Sequence, residues 1–341
     1  MMFLRLLAGL AAMVPAVPAS AQNATPLFSS DAPLAITLTG PMSALAANRD
    51  GDSRWAATLA VTGERIPVQL SPRGITRRLK EICQFPPLRM DLPTRPTAGL
   101  FAGQRTLKLV TYCRRRDGHA QHLLLEYAAY RIYNLLTPLS FRARLANITY
   151  ADPSGRALIT RPGFFIEDAF HLAQRTGLER PRTGDMVPRS SLSAAHAARM
   201  AMFEYLIANL DWSMRGGPEG EGCCHNARLL QRPGQPGFVP VPYDFDFSGL
   251  VDAPYAQPPA QIPIPNVRVR NYRGYCLHNA EALAAAGEIR TKRTEIMTLL
   301  ASIPGLSPGS LRKARAFLDP FWAQIATDAT VRARILSNCV R

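Results

Sequence analysis

Four polar residues in the second half of the chain have the types and order of a metal-assisted phosphoryl-transfer site. They are Asp211, then Asn226, then Asp244 and Asp246 within Pro242-Tyr243-Asp244-Phe245-Asp246. Such a transfer needs one carboxylate for the nucleophile, and an amide plus a further carboxylate for a divalent cation. Asp211 follows a long apolar helical stretch and precedes Trp212, which predicts a loop position from which it can accept a hydroxyl proton. Asn226 offers a neutral oxygen suited to Mg²⁺ or Mn²⁺. Asp244 and Asp246, one residue apart on an expected strand, project to the same side. Like charges so placed repel unless a cation or an arginine neutralises them. The plain alternative for each is an ordinary acidic turn.

Upstream, Lys108 lies in the strand-like run RTLKLVTY beside Leu107, Leu109 and Val110. An ammonium there either snorkels to water or finds an anion, since burying it unpaired is costly. In a basic chain with only four lysines (Lys80, Lys108, Lys292, Lys313), it is a candidate phosphate ligand. Glu126, eighteen residues on, is the one acid in HAQHLLLEYAAYRIYNLL and shares a helical face with Ala129, Tyr130 and Tyr133. A strand lysine held by a helix glutamate is the pairing that kinase-type sites use to orient nucleotide phosphates. Glu167-Asp168 closes the run GFFIED at the junction of the two halves, which makes Glu167 a candidate contact to a nucleotide base.

The elements that must hold these residues can be read from periodicity and breakers. Residues 33–72 carry three short strands (LAITLTG, WAATLAV, RIPVQL) and residues 105–112 a further one. Residues 119–137 read as a helix that Pro138 ends. RARLANITY and RALITRPGFFIED flank the turn Asp152-Pro153-Ser154-Gly155 and predict a hairpin. SLSAAHAARMAMFEYLIANL begins with serine caps and delivers its C-terminal end to Asp211. Residues 254–265 read as a long surface loop, and 279–301 and 308–338 as mainly helical. The class is α+β: a β-rich N-terminal half with one helix and an α-rich C-terminal half, with a ligand cleft between them.

The opening MMFLRLLAGLAAMVPAVPASAQ places Arg5 before an apolar run, Leu6 to Val14, and small residues Ala19-Ser20-Ala21 before Gln22. The run is too short to span a bilayer, so residues 1–21 read as a secretory signal peptide cleaved near Ala21-Gln22. No later segment is apolar for long enough to cross a membrane, and export to the periplasm or exterior follows. About 320 residues remain, and 47% apolar content is ample for a large core. Six cysteines in an exported chain predict up to three disulfides in preference to zinc, because no CxxC occurs. The adjacent pair Cys223-Cys224 suits two separate bridges. The net charge of +15 is almost all arginine, which forks onto phosphate and carboxylate, so an anionic ligand or envelope polymer fits. No basic block interleaved with aromatics points to nucleic acid.

Together, Asn209-x-Asp211, Asn226 and Pro242-Tyr243-Asp244-Phe245-Asp246 resemble the CotH spore-coat protein kinase family, and more distantly the HipA-like kinases. Arg73-Gly74, followed by Arg77 and Arg78, is similar to that family's Arg-Gly segment. The CCHN and VPYDFDFSG stretches are also similar to a set of uncharacterised exported bacterial proteins. The resemblance spans residues 73 to about 250. It implies a two-lobed, protein-kinase-like fold with an N-lobe at 73–168 and a C-lobe at 169–341, after a β-rich segment at 22–72. It implies ATP or another nucleotide with Mg²⁺, Lys108 and Arg73 on the phosphates, and Glu126 as the partner of Lys108. It makes Asp211 the catalytic carboxylate, Asn226 and Asp244 the metal ligands, and an unknown protein or envelope component the acceptor. The chain departs from the pattern in lacking a GxGxxG loop before Lys108, and in placing Asp211 and Asn226 fifteen residues apart. Two further readings stand beside the transferase: a non-catalytic envelope-binding module, and a metal-dependent hydrolase using Asp211, Asp244 and Asp246.

Overall fold

In chain order the strands and helices of the N-terminal half are β1 (Leu34–Thr39), α1 (Met42–Ala47), β2 (Trp55–Val61), β3 (Glu64–Pro72), β4 (Leu88–Asp91), β5 (Thr106–Val110), α2 (Asp117–Leu136), β6 (Ala143–Ala151) and β7 (Ala157–Ile166). These come from a computed structural model that describes residues 24–341. The expected signal peptide and its cleavage junction lie outside the described residues. Seven strands close into a barrel in the order β1-β2-β3-β4-β5-β7-β6. Neighbours pair antiparallel except where β6 meets β1 in parallel, Leu34 opposite Ala146 through Thr39 opposite Ala151. Alternation sends Ile36, Leu38, Leu59, Leu70, Leu107 and Leu109 into the interior, where Phe101, Tyr150 and Phe165 fill the remaining space.

This closure corrects the expected two-lobed, kinase-like arrangement; the α+β class stands, but the architecture is a closed mixed barrel with helices. The segment 22–72, read as a β-rich stretch ahead of the N-lobe, supplies β1 to β3 of the same barrel. The reason is the parallel seam between β1 and β6, which removes both free sheet edges at once.

The C-terminal half contains α3 (Ala169–Thr176), α4 (Ala194–Ile207), the hairpin β8 (Ala227–Gln231) and β9 (Phe238–Pro242), then α5 (Asn279–Thr291), α6 (Arg293–Ser302), α7 (Pro308–Gln324) and α8 (Asp328–Arg334). Its core is separate from the barrel interior, and α2 belongs to it while packing on the outer faces of β6 and β7. Tyr130 of α2 packs on Phe164 of β7 at 5.6 Å and on Phe245 at 4.6 Å, and Phe245 packs on Phe203 of α4 at 5.4 Å. That aromatic chain fixes the segment carrying Asp244 and Asp246.

Disulfides join Cys83 to Cys113 and Cys276 to Cys339, as an exported chain would carry. The third bond corrects the expectation of two separate bridges: Cys223 is bonded to Cys224. Among the described residues no helix is long and apolar enough to cross a membrane.

Candidate active site between barrel and helices

A cleft of about 1130 Å³ opens between the outer face of the barrel and the helical half. Its walls are Arg73 to Arg77, the end of β5 at Val110, Glu126 of α2, the loop from Asp211 to the start of β8, and Tyr243 to Phe247. Asp211, Asn226, Asp244, Asp246, Glu126 and Arg73 therefore all reach one space, although more than a hundred residues separate the outermost of them in sequence.

Local turns aim the polar groups. Helix α4 ends on Ala208 in the left-handed region (φ 51°), and Asn209 Oδ1 then accepts the Asp211 N–H at 3.1 Å. Trp212 donates its indole N–H to the Asn209 carbonyl at 2.9 Å, which pins the turn. The Asn226 side-chain amide donates to the Asp211 carbonyl (2.7 Å) and to its Oδ2 (3.0 Å). His225 Nε2 sits 2.8 Å from Asp211 Oδ1, and this hydrogen bond raises the imidazole's pKa. The β8–β9 hairpin sets Ala227 opposite Pro242, and the Tyr243 N–H donates to the Asn226 carbonyl at 3.0 Å. Asn226 and Asp244 are thus adjacent by hairpin register.

Asp244 and Asp246 are not on a strand: β9 stops at Pro242, and Asp244 has φ 68°. Asp244 donates its N–H to Tyr130 Oη at 2.9 Å, while Asp246 is buried and accepts from Tyr255 Oη at 2.9 Å. Asn226 is also left-handed, at φ 49°. Two candidate cation ligands thus occupy backbone conformations that cost energy outside glycine, the kind of strain that collects at functional sites.

Glu126 is buried, and its partner is Arg77 (Nη1 to Oε2 3.5 Å), not Lys108. Arg77 also donates to the Thr111 carbonyl at 2.6 Å. The Lys108 ammonium instead lies 4.4 Å from the centroid of the Tyr243 ring, and Lys108 does not line the cleft. Burial, and then Arg73 and Arg228, lower it to about 7, against the pull of Asp244 and Asp168. Burial and then the Asp244 charge push Asp246 up to about 7. Glu126 is likewise held well above the usual carboxylate range by burial and then by Asp246. Glu167 is placed elsewhere. It is buried, both its oxygens are bound by Arg175 (3.0 and 2.9 Å), and its N–H donates to the Arg142 carbonyl. Neither its side chain nor its N–H is free to read a base, which corrects that expectation.

The sequence reading missed His225, Arg228 and Tyr255. Only His225 carried a local signal, as the neighbour of Asn226; the other two meet the site through the hairpin and the 250s loop.

The residues present fit a divalent cation. Among the described residues nothing donates to Asn226 Oδ1 or to the Asp244 carboxylate, so hard oxygen donors remain open. No three His, Cys, Asp or Glu side chains among the described residues are arranged to hold a metal alone. Mg²⁺ takes one or two carboxylates and completes its shell with water and substrate phosphate. Neither a protein-family model nor a curated protein sequence matches this chain.

Proposed function

We propose that the cleft binds a nucleotide polyphosphate with Mg²⁺ and transfers a phosphoryl group to a hydroxyl of an acceptor outside the cytoplasm. The observation that carries this reading is the meeting of Asp211, Asn226 and Asp244 in one cleft that Arg73 and Arg228 also line. The order of those residues, similar to that of the CotH kinases, supports the same chemistry on a different architecture, since sites and not folds decide reactions.

Asp211 accepts the acceptor's hydroxyl proton as the new O–P bond forms and the bond to the departing nucleoside diphosphate breaks. His225 and Asn226 hold its two carboxylate oxygens in place. Arg73, Arg228 and the ammonium of Lys108 supply positive charge for the phosphates, and positioning plus charge stabilisation is most of what this reaction needs. A bound Mg²⁺, held by Asn226 Oδ1 and Asp244, would neutralise phosphate charge. The disulfides and the N-terminal apolar run support a site of action in the periplasm or beyond.

Calorimetric titration with ATP tests the binding half. Heat of binding should appear with Mg²⁺ and weaken on the order of tenfold in EDTA or in Asp244→Asn. Equal affinity in all three conditions would sink the cation assignment. Stabilisation by polyanions without any nucleotide effect would instead favour the non-catalytic binding module.

A further inference from the structure

A second concavity of about 460 Å³ adjoins the cleft and shares Phe170 and Arg180 with it. Arg89, Arg95 and Arg105 line it as well, so four guanidinium groups surround one groove. Arg89 is paired with Asp91 (2.9 Å) and Arg95 donates Nε to the Gly103 carbonyl (2.9 Å). Arg105 and Arg180 are exposed, and their side chains have no hydrogen-bond or ion-pair partner among the described residues. The one acid in the lining, Asp168, is occupied in accepting the Phe170 N–H at the start of α3. His171 lines the groove at 7% exposure, and its Nδ1 has no hydrogen-bond partner. Phe170 is 49% exposed at the border between the two spaces.

The groove and the cleft lie along one barrel face. On β5, alternation puts Thr106, Lys108 and Val110 on the same outer side; Thr106 lines the groove and Val110 lines the cleft. Lys108 stands between them.

We infer that this groove binds an acidic polypeptide segment of the acceptor, lying beside the hydroxyl that enters the cleft. The inference rests on the phosphoryl-transfer reading for the role of the cleft, while the groove's preference for an acidic chain is independent of it. Arginine forks match carboxylates two oxygens at a time. The basic groups line a concavity, whereas a bilayer surface needs them on a flat or projecting face. A single exposed aromatic is not the repeated stacking platform that single-stranded nucleic acid uses.

Fluorescence anisotropy with labelled hexaglutamate on the oxidised protein tests the inference. The peptide should bind, weaken as salt rises, and lose on the order of tenfold in affinity in Arg105→Glu. Arg105→Lys should retain most of the binding, which guards against a folding defect. Arg332→Glu, on α8 outside both cavities, should change nothing; an equal loss there means unspecific attraction to a basic protein and overturns the proposal. Unchanged binding in Arg105→Glu overturns it too, as does Arg105-dependent binding of RNA or anionic vesicles without binding of the peptide. ATP titrated in parallel separates the two readings. Peptide binding with no ATP binding removes the transferase reading and keeps the groove. ATP binding with no peptide binding removes the groove alone.

Discussion

Lys108 is a residue whose chemistry is changed by its environment. Its ammonium, lowered to about 7 by burial and by the neighbouring arginines, is only partly charged in neutral solution. A phosphate in the cleft would favour the charged form, so above pH 7 binding must take up a proton. Affinity for ATP should therefore fall as pH rises from about 7 towards 9, by up to tenfold per pH unit from this group alone. Lys108→Arg, charged throughout, should flatten that dependence; a wild-type affinity independent of pH would show that Lys108 does not see the phosphate. The sequence exposed the oddity of this lysine among leucines but assigned it the wrong neighbour. Glu126 went to Arg77, because spacing along a chain fixes which face a residue occupies and not which distant cation reaches that face first. The Asp211–Asn226–Asp244 group was legible for a better reason. Asn226 and Asp244 flank one hairpin, whose ends meet by construction, and the Asn226 amide ties Asp211 to them.

At the scale of elements, the segment Arg73–Gln84 beside the cleft holds only one short 3-10 turn, Thr76–Arg78. It is held to the end of β5 by the Cys83–Cys113 bond, by the Gln84 N–H on the Cys113 carbonyl (2.7 Å), and by Arg114 on the carbonyls of Glu81 and Ile82. The bond closes a loop with a sequence separation of 30, so chain-entropy arguments give it about 3–4 kcal/mol of stability. Cys83→Ser/Cys113→Ser should lose about that much in urea unfolding, and should weaken ATP binding because Arg73 and Arg77 lose their support. An unfolding free energy equal to wild type would mean that the hydrogen bonds suffice. Helix α2, the β6–β7 hairpin and α4 fall close to where periodicity and turn residues put them. The barrel did not emerge from the same reading. Strand identity is local, but the parallel seam between β1 and β6 pairs segments about a hundred residues apart, and no local pattern encodes that partnership.

Across the whole molecule, the helical core, which includes α2, packs on the outside of the barrel, and the candidate cleft lies where the barrel's outer face turns towards the helices. The net charge of +15 has a local expression there: arginines from the Arg73 segment, β4, β8 and the residues after α3 border one continuous concave surface. Asp211, Asp244, Asp246 and Glu126 line the same cleft as Arg73 and Arg228, so both signs of charge border one space. The most direct test of this account is transfer of label from γ-³²P-ATP with Mg²⁺ to an acidic, serine-containing peptide, using wild type and Asp211→Asn side by side. The account predicts labelled peptide with wild type, a loss on the order of a hundredfold or more in Asp211→Asn, and unchanged ATP affinity in that variant. Equal labelling by both proteins, or ATP binding with no transfer to any hydroxyl-bearing acceptor, would contradict it.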